Sequence, residues 1–151
     1  MKIDNQLLNT LSAQAKANPR LRQSYDLRTT PEDQSQRILN AVEPGTILPI
    51  HRHRGSTETI IVLRGKVVQH YYDDNGNKTA SFVLAPYPHE TSEALKQSET
   101  PETCACAMSV PVSQWHALES LEEGSVIFEC KDGAYQPLSA EDILEVAQEG
   151  K

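Results

Sequence analysis

Three side chains that can bind a divalent metal lie close together near the middle of this sequence. His51 and His53 are one residue apart, and Glu58 follows shortly after them. Successive side chains of a β-strand point to opposite faces, so a strand through this segment places both imidazoles on one face. Imidazole nitrogens and carboxylate oxygens bind such metals at about 2.0–2.2 Å. The spacing therefore predicts part of a metal site that needs a further ligand from elsewhere in the chain.

The segments around these residues have the pattern of short β-strands separated by turns. Runs of alternating or β-branched residues predict strands at 38–42, 47–53, 58–64, 67–72, 79–84, 103–110 and 125–130. Asn75-Gly76 lies between two of these runs and favours a β-hairpin. In the run that begins with Glu58, Arg64 has the same phase and is expected on the metal side, provided that no bulge intervenes. The pattern as a whole predicts an antiparallel sandwich or barrel.

A helix is predicted at each end of the chain. Residues 4–18 carry apolar side chains at helical spacing, with Asp4 as the N-cap and a proline at the end. This helix is expected to pack on the sheet or to form a dimer contact. Residues 139–148 predict the second helix, with Ser139 in a variant capping box. The stretch 19–38 is polar and turn-rich, and its arginines are expected to pair with surface carboxylates.

The composition predicts one domain in the cytoplasm. The length of 151 residues fits an N-terminal helix and lead-in at 1–40, a core at 41–138 and a C-terminal helix at 139–151. The net charge of −7 argues against binding to nucleic acid. The N-terminus lacks the apolar region of a signal peptide, and no run is long enough to cross a membrane. The three cysteines are an odd number, which argues against a disulfide framework.

The spacing of these residues resembles the first motif of the cupin superfamily. That motif reads glycine, five residues, His-x-His, four residues, glutamate, six residues and glycine. It matches this sequence at Gly45, His51, His53, Glu58 and Gly65. The resemblance implies an all-β jelly-roll barrel, the double-stranded β-helix of cupins, with short helices at both termini.

The second cupin motif, Pro-x-Gly-x-x-His followed by an asparagine, resembles the run from Pro111 to His116. Ser113 occupies the position of the glycine, and Ser120 that of the asparagine. Ala105 stands where the motif opens with glycine. The resemblance implies that His116 is the fourth metal ligand and that the barrel brings it to the other three. Because Ser113 replaces the glycine, the turn before His116 is expected to differ from that of the motif.

Most of the chain is similar to the WbuC family of cupin-fold metalloproteins. The similarity extends over the runs NAVEPG, PIHRHRGSTETIIVLRG, DDNGN and VPVSQWHALESLEEGSVIFECKDGAYQPL, and over both terminal segments. Members of this family occur in bacterial gene clusters for O-antigen and other surface polysaccharides. The resemblance implies a metal-binding fold and a pathway, but no established reaction.

Three imidazoles and one carboxylate leave a divalent ion with a charge near +1 and with open positions for a ligand. Zinc, iron, manganese, nickel and copper all accept such ligands, so the metal stays open. The expected ligand is a small molecule such as a sugar or nucleotide sugar, and a homodimer is plausible.

Three functional hypotheses follow from this site. In the first, the metal acts as a Lewis acid in a sugar isomerase or epimerase. Arg64 then holds a phosphate or carboxylate, and Tyr71, Tyr72 and Glu129 are candidate bases by residue type alone. In the second, the protein is an iron(II)-dependent dioxygenase. In the third, it binds a saccharide or metal without catalysis.

Other residues with metal-binding side chains favour structural roles. His70 and His89 fall outside the cupin motifs, and each is expected to be structural. Cys104 and Cys106 form a Cys-x-Cys pair, for which two buried thiols are favoured over a metal site. The four motif residues could also form a hydrogen-bonded polar cluster without metal, although a complete ligand set favours the metal.

Overall fold

The computed structural model describes residues 1–87 and 105–144 of the chain. One α-helix, α1 (Asn5–Ala17), precedes the strands. In chain order the strands are β1 (Arg22–Asp26), β2 (Ser35–Val42), β3 (Ile50–His51), β4 (Glu58–Arg64), β5 (Val67–Tyr72), β6 (Lys78–Leu84), β7 (Ala107–Val110), β8 (Trp115–Ser120), β9 (Ser125–Asp132) and β10 (Ile143–Leu144).

The strands form two five-stranded antiparallel sheets. One sheet has the order β1-β2-β9-β4-β7, and the other has the order β10-β3-β8-β5-β6. Buried apolar side chains from both sheets pack against one another in a single cluster: Val42, Ile60, Val62, Val67, Leu84, Val110, Leu118 and Ile127. The all-β jelly-roll fold predicted from the sequence is confirmed, with the core between the two sheets.

Helix α1 packs on the outer face of the first sheet. The carboxylate of Asp4 accepts a hydrogen bond from the Leu7 backbone N–H at 3.1 Å, which caps the helix as predicted. The buried side chains of the helix pack against residues of β2 and β9 that point away from the core, in the cluster Leu8, Leu11, Ala15, Leu39, Ala41 and Val126. The expectation that this helix packs on the sheet is confirmed.

Strands β1 and β8 occur where the sequence did not predict strands. Strand β1 pairs with β2 from Arg22 to Asp26, within the stretch expected to be polar and turn-rich. It is an edge strand with mostly exposed side chains, so it has no apolar alternation that could reveal it. Strand β8 pairs with both β5 and β3. The predicted hairpin at Asn75-Gly76 joins β5 to β6 and is confirmed.

The C-terminal helix predicted at 139–148 is wrong over its described part. A single 3-10 turn at Ala140–Asp142 is followed directly by β10. The hydroxyl of Ser139 donates to the Asp142 carboxylate at 2.9 Å instead of capping a backbone N–H. Residues 145–151 lie outside the described residues, as does most of the loop expected at 85–101. In residues 1–87 and 105–144, no helix is long and apolar enough to cross a membrane.

Candidate metal centre

The four predicted metal ligands come together inside the barrel. One ligand atom from each of His51, His53, Glu58 and His116 lies within 4.8 Å of the others. His51 on β3 is the direct register partner of His116 on β8. Glu58 is the first residue of β4 and comes from the opposite sheet. The closure of the two sheets therefore assembles side chains that are distant in sequence.

Backbone carbonyl groups orient two of the imidazole rings. Nδ1 of His116 lies 2.8 Å from the Gln114 carbonyl oxygen, and Nδ1 of His51 lies 3.1 Å from that of Pro49. A carbonyl oxygen only accepts, so each ring carries its proton on Nδ1 and keeps a lone pair on Nε2. A hydrogen bond of this kind commonly fixes the ring of a metal-binding histidine.

The Nε2 atom of His116 has the clearest need for a partner. It is buried and has no hydrogen-bond partner among residues 1–87 and 105–144. A buried polar atom without a partner costs about 1–3 kcal/mol. A metal bound by this lone pair would remove that cost, so the donor set fits a divalent ion.

The spacing of the remaining ligand atoms also fits one shared ion. Nε2 of His53 lies 3.0 Å from one carboxylate oxygen of Glu58, and Nε2 of His116 lies 3.7 Å from the other. Two ligand atoms bound at about 2.1 Å and at right angles to one ion are about 3 Å apart. Only small side-chain movements separate this arrangement from a coordination sphere.

Burial and neighbouring groups set the charge states of His51, His116 and Glu58. Burial lowers the pKa of His51 to about 4, with the neighbouring His116 adding to the effect. Burial also lowers the pKa of His116. Burial by itself raises the pKa of Glu58, but the hydrogen bond with His53 and the charge of Lys131 outweigh it and hold that pKa well below its usual range. Near pH 7 Glu58 is therefore ionised, and the imidazoles of His51 and His116 are neutral, the forms that bind a metal.

Sequence reasoning missed Lys131, which lies against the four ligands. Its ammonium group contacts Glu58 at 3.1 Å and Glu129 at 2.5 Å, and lies 3.4 Å from Nε2 of His53. Both carboxylates raise the pKa of Lys131 although burial lowers it, so the lysine stays charged. In β9, Glu129 and Lys131 share a phase with the core residue Ile127, and this alternation could have shown that they point inward.

Arg64 does not lie with the metal ligands. Its guanidinium group donates to the backbone carbonyls of Leu8 and Gly124 at 2.9 Å each, and to the Asn9 side chain at 2.7 Å. The pairing of β4 with β9 shifts register between Val62 and Arg64, which is the bulge that the period-two argument had to exclude. The expectation that Arg64 faces the metal is therefore wrong, and its contacts anchor helix α1.

Replacing Arg64 with methionine should destabilise the fold and leave metal binding intact. Methionine keeps an apolar stem but loses the charged hydrogen bonds that Arg64 donates to the Leu8 and Gly124 carbonyls, at a cost of about 1–3 kcal/mol. Urea unfolding measures this loss, and elemental analysis measures metal content. Loss of metal from the folded variant would contradict the placement of Arg64.

The other residues considered from the sequence have varied positions. Tyr71 is the register partner of His116 and packs against the core, whereas Tyr72 packs against His70. His70 lies outside the metal set, with Nδ1 at 2.8 Å from the Ser81 hydroxyl and Nε2 at 3.4 Å from Glu119.

Cys106 and Cys130 are partly buried free thiols. Of the two, only Cys130 lies within a strand, β9. His89 and Cys104 lie outside the described residues.

Ser113, which occupies the position of the motif's glycine, adopts a backbone conformation that glycine favours. Its φ is +63°, in the left-handed region. The Ser113 backbone N–H donates to the His53 carbonyl at 2.8 Å, which ties the turn before β8 to the segment of the paired histidines. The departure from glycine therefore leaves the turn and His116 in place.

A cavity of about 480 Å³ lies beside His51, His53 and Lys131. Its other walls come from the segment after His53, from the chain that follows β9 and from Asp142. Cavities of this volume are typical of small-molecule sites. The cavity gives a ligand a route to the side of the cluster formed by the two motif histidines.

Comparison with known proteins places the chain in a family. Residues 3–84, more than half of the chain, match the family described as Domain of unknown function (DUF6016). The chain belongs to this family. No curated protein matches the DUF6016 chain.

Solved structures similar to this DUF6016 protein share its fold. The capsular polysaccharide assembling protein CapF from Staphylococcus aureus is 17% identical with a TM-score of 0.55, over 80% of this chain and 30% of that chain. TT1209 from Thermus thermophilus is 19% identical with a TM-score of 0.54, over 88% and 98% of the two chains. KdgF from Halomonas sp. is 16% identical with a TM-score of 0.50, over 77% and 82%. These are cupin-fold proteins, so the predicted cupin fold is confirmed, and the chain spans less than a third of CapF.

Proposed function

We propose that this protein binds one divalent transition metal through His51, His53, Glu58 and His116. The observation that carries the proposal is the buried, unpartnered Nε2 of His116, which lies among the other three ligand atoms. If the four residues formed only a hydrogen-bonded cluster without metal, this atom would have no partner, whereas a metal provides one. Zinc, iron, manganese and nickel all suit three imidazoles and a carboxylate.

The second part of the proposal is a small-molecule ligand in the cavity beside the metal. Bound there, the ion would polarise a hydroxyl or carbonyl oxygen as a Lewis acid. Lys131 borders both the cavity and the ligand set, and its ammonium group holds the Glu58 carboxylate at the inner edge of the cavity. Burial of Glu58 and His116 keeps water from the inner side of the site.

We further propose a role in bacterial surface-polysaccharide or nucleotide-sugar metabolism. Two observations support it: the similarity of most of the chain to the WbuC family, and the likeness of its fold to CapF, a capsular polysaccharide assembling protein. The chain spans 30% of that CapF chain, so the activity of CapF is not transferred. The iron(II) dioxygenase and the non-catalytic binding protein remain the alternatives.

Metal analysis of the wild-type protein is the first test. Protein purified without an affinity tag or added metal should contain about one ion per chain of zinc, iron, manganese or nickel, and a strong chelator should remove it. Elemental analysis measures both quantities. Protein that contains no metal, and takes up none when each ion is added, would overturn the proposal.

Ligand binding then separates the functional alternatives. A panel of sugars and nucleotide sugars should bind the metal-loaded protein more tightly than the metal-free protein, as measured by isothermal titration calorimetry. Turnover without oxygen supports an isomerase or epimerase, and turnover only with iron and oxygen supports a dioxygenase. Saturating binding without turnover supports a binding protein, and equal binding to both forms contradicts a metal-dependent ligand site.

A further inference from the structure

The strand that carries His51 has little support of its own. Strand β3 contains only Ile50 and His51, and its pairing with β8 consists of the single register pair between His51 and His116. On its other side β3 pairs with β10, where Ile143 is the partner of His51. The chain leaves regular strand structure directly after His51, so His53 depends on other contacts for its position.

Asp142 supplies several of these contacts. One of its carboxylate oxygens accepts from Nε of Arg54 at 2.6 Å and from Nε of Arg52 at 3.2 Å. Its other oxygen accepts from the hydroxyl of Ser139 at 2.9 Å, and its backbone carbonyl accepts from the Arg52 N–H at 3.1 Å. The two arginines lie immediately before and after His53, so one carboxylate binds both sequence neighbours of that residue.

The same contacts connect to the strand of the fourth ligand. The guanidinium group of Arg52 stacks over the ring of Trp115, 4.2 Å from its centroid. Trp115 is the residue before His116, and its indole N–H donates to Asp74 at 2.8 Å. Asp142 therefore holds Arg52 in a position that links the His51–His53 segment to β8.

We infer that Asp142 is a positioning residue for the proposed metal site. It binds no metal itself, but fixes the segment that presents His51 and His53 and so sets the affinity for the ion. This inference rests on the proposed function. Hydrogen bonds between charged groups are stronger than neutral ones, and the Asp142 side chain is only 19% exposed, so solvent screens them incompletely.

The test compares Asp142→Asn with a matched variant, Asp26→Asn. The carboxylate of Asp26, the last residue of β1, lies 2.6 Å from the guanidinium group of Arg28. Strand β1 belongs to the sheet that does not contain the strand of His51. Loss of an outer contact to a metal site lowers metal affinity by about 10–100-fold, so Asp142→Asn should weaken zinc binding by at least about tenfold. Asp26→Asn should bind zinc as the wild type does. Titration against a competing zinc chelator measures the affinity.

A merely structural role for Asp142 predicts a different result. Asp142→Asn would then lower the melting temperature of the metal-free protein and leave zinc affinity unchanged, which would overturn the inference. Arg54→Gln removes the shortest of these contacts from the other side, so its effect on zinc affinity should not add to that of Asp142→Asn. If Asp142→Asn fails to fold, Ser139→Ala serves as a milder variant. It should weaken zinc binding slightly.

The result for the wild type separates this inference from the proposed function. Wild-type protein that does not bind zinc or any other divalent metal contradicts the proposed function itself. Wild-type protein that binds zinc, together with an Asp142→Asn variant of equal affinity, contradicts only the positioning role.

Discussion

Replacing His51 with alanine should leave the purified protein with little of its metal. The substitution removes one of four proposed ligands and leaves His116, its register partner, facing an empty position. A site with three imidazoles and one carboxylate loses much of its affinity when one imidazole is absent, because one of its four bonds to the ion is lost. Elemental analysis of the wild type and the variant, purified in parallel, measures the loss.

The matched control is His70→Ala. His70 is a largely buried histidine on β5, next to the strand of His116, but its ring contacts Ser81 and Glu119. This variant should retain the full metal content even though it also loses buried hydrogen bonds. Stoichiometric metal in His51→Ala, or equal losses in both variants, would count against the assignment of the ligands.

Replacing Gly65 with alanine should lower the free energy of unfolding by about 3 kcal/mol or more. Gly65 has a φ of +78°, where a side chain is strained, and an added Cβ would lie 2.7 Å from the Cα of Ser125. The contact is with backbone and cannot be relieved by a rotamer change. The turn between β4 and β5 would have to move away from the start of β9. Urea unfolding followed by circular dichroism measures the difference.

Gly133→Ala separates backbone strain from the steric contact. Gly133 has a φ of +83°, but an added Cβ would meet nothing within 4 Å. This variant should therefore lose only about 1 kcal/mol, the cost of the left-handed conformation. Equal losses in the two variants would show that the close approach of Gly65 to Ser125 contributes nothing to stability.

The ligand set could be predicted because the motif gives His51, His53, Glu58 and His116 at fixed positions in the sequence. The strand predicted through both His51 and His53 ends at His51 in the structure, so period two does not account for the position of His53. The structure places all four together. The jelly-roll fold followed from the same resemblance and from the alternation in β4, whose buried residues Ile60 and Val62 face the core.

The surroundings of the site could not be predicted because they depend on register between distant strands. Lys131 reaches Glu58 since β4 pairs with β9 in one particular register. Asp142 reaches Arg54 since β10 pairs with β3, and a strand of two residues has no detectable period. Arg64 was misplaced by a bulge that period two cannot reveal. For Lys131 and Arg64 the missing information is the register of the pairing between β4 and β9, and for Asp142 it is strand β10 itself.

The most direct measurement is X-ray diffraction from crystals of the wild-type protein, at wavelengths on either side of the absorption edge of its metal. A bound ion should give one anomalous peak at about 2.0–2.3 Å from the imidazole nitrogens of His51, His53 and His116 and from a carboxylate oxygen of Glu58. A metal-containing crystal with its peak elsewhere, or with no peak among these four side chains, would contradict a metal centre in the barrel.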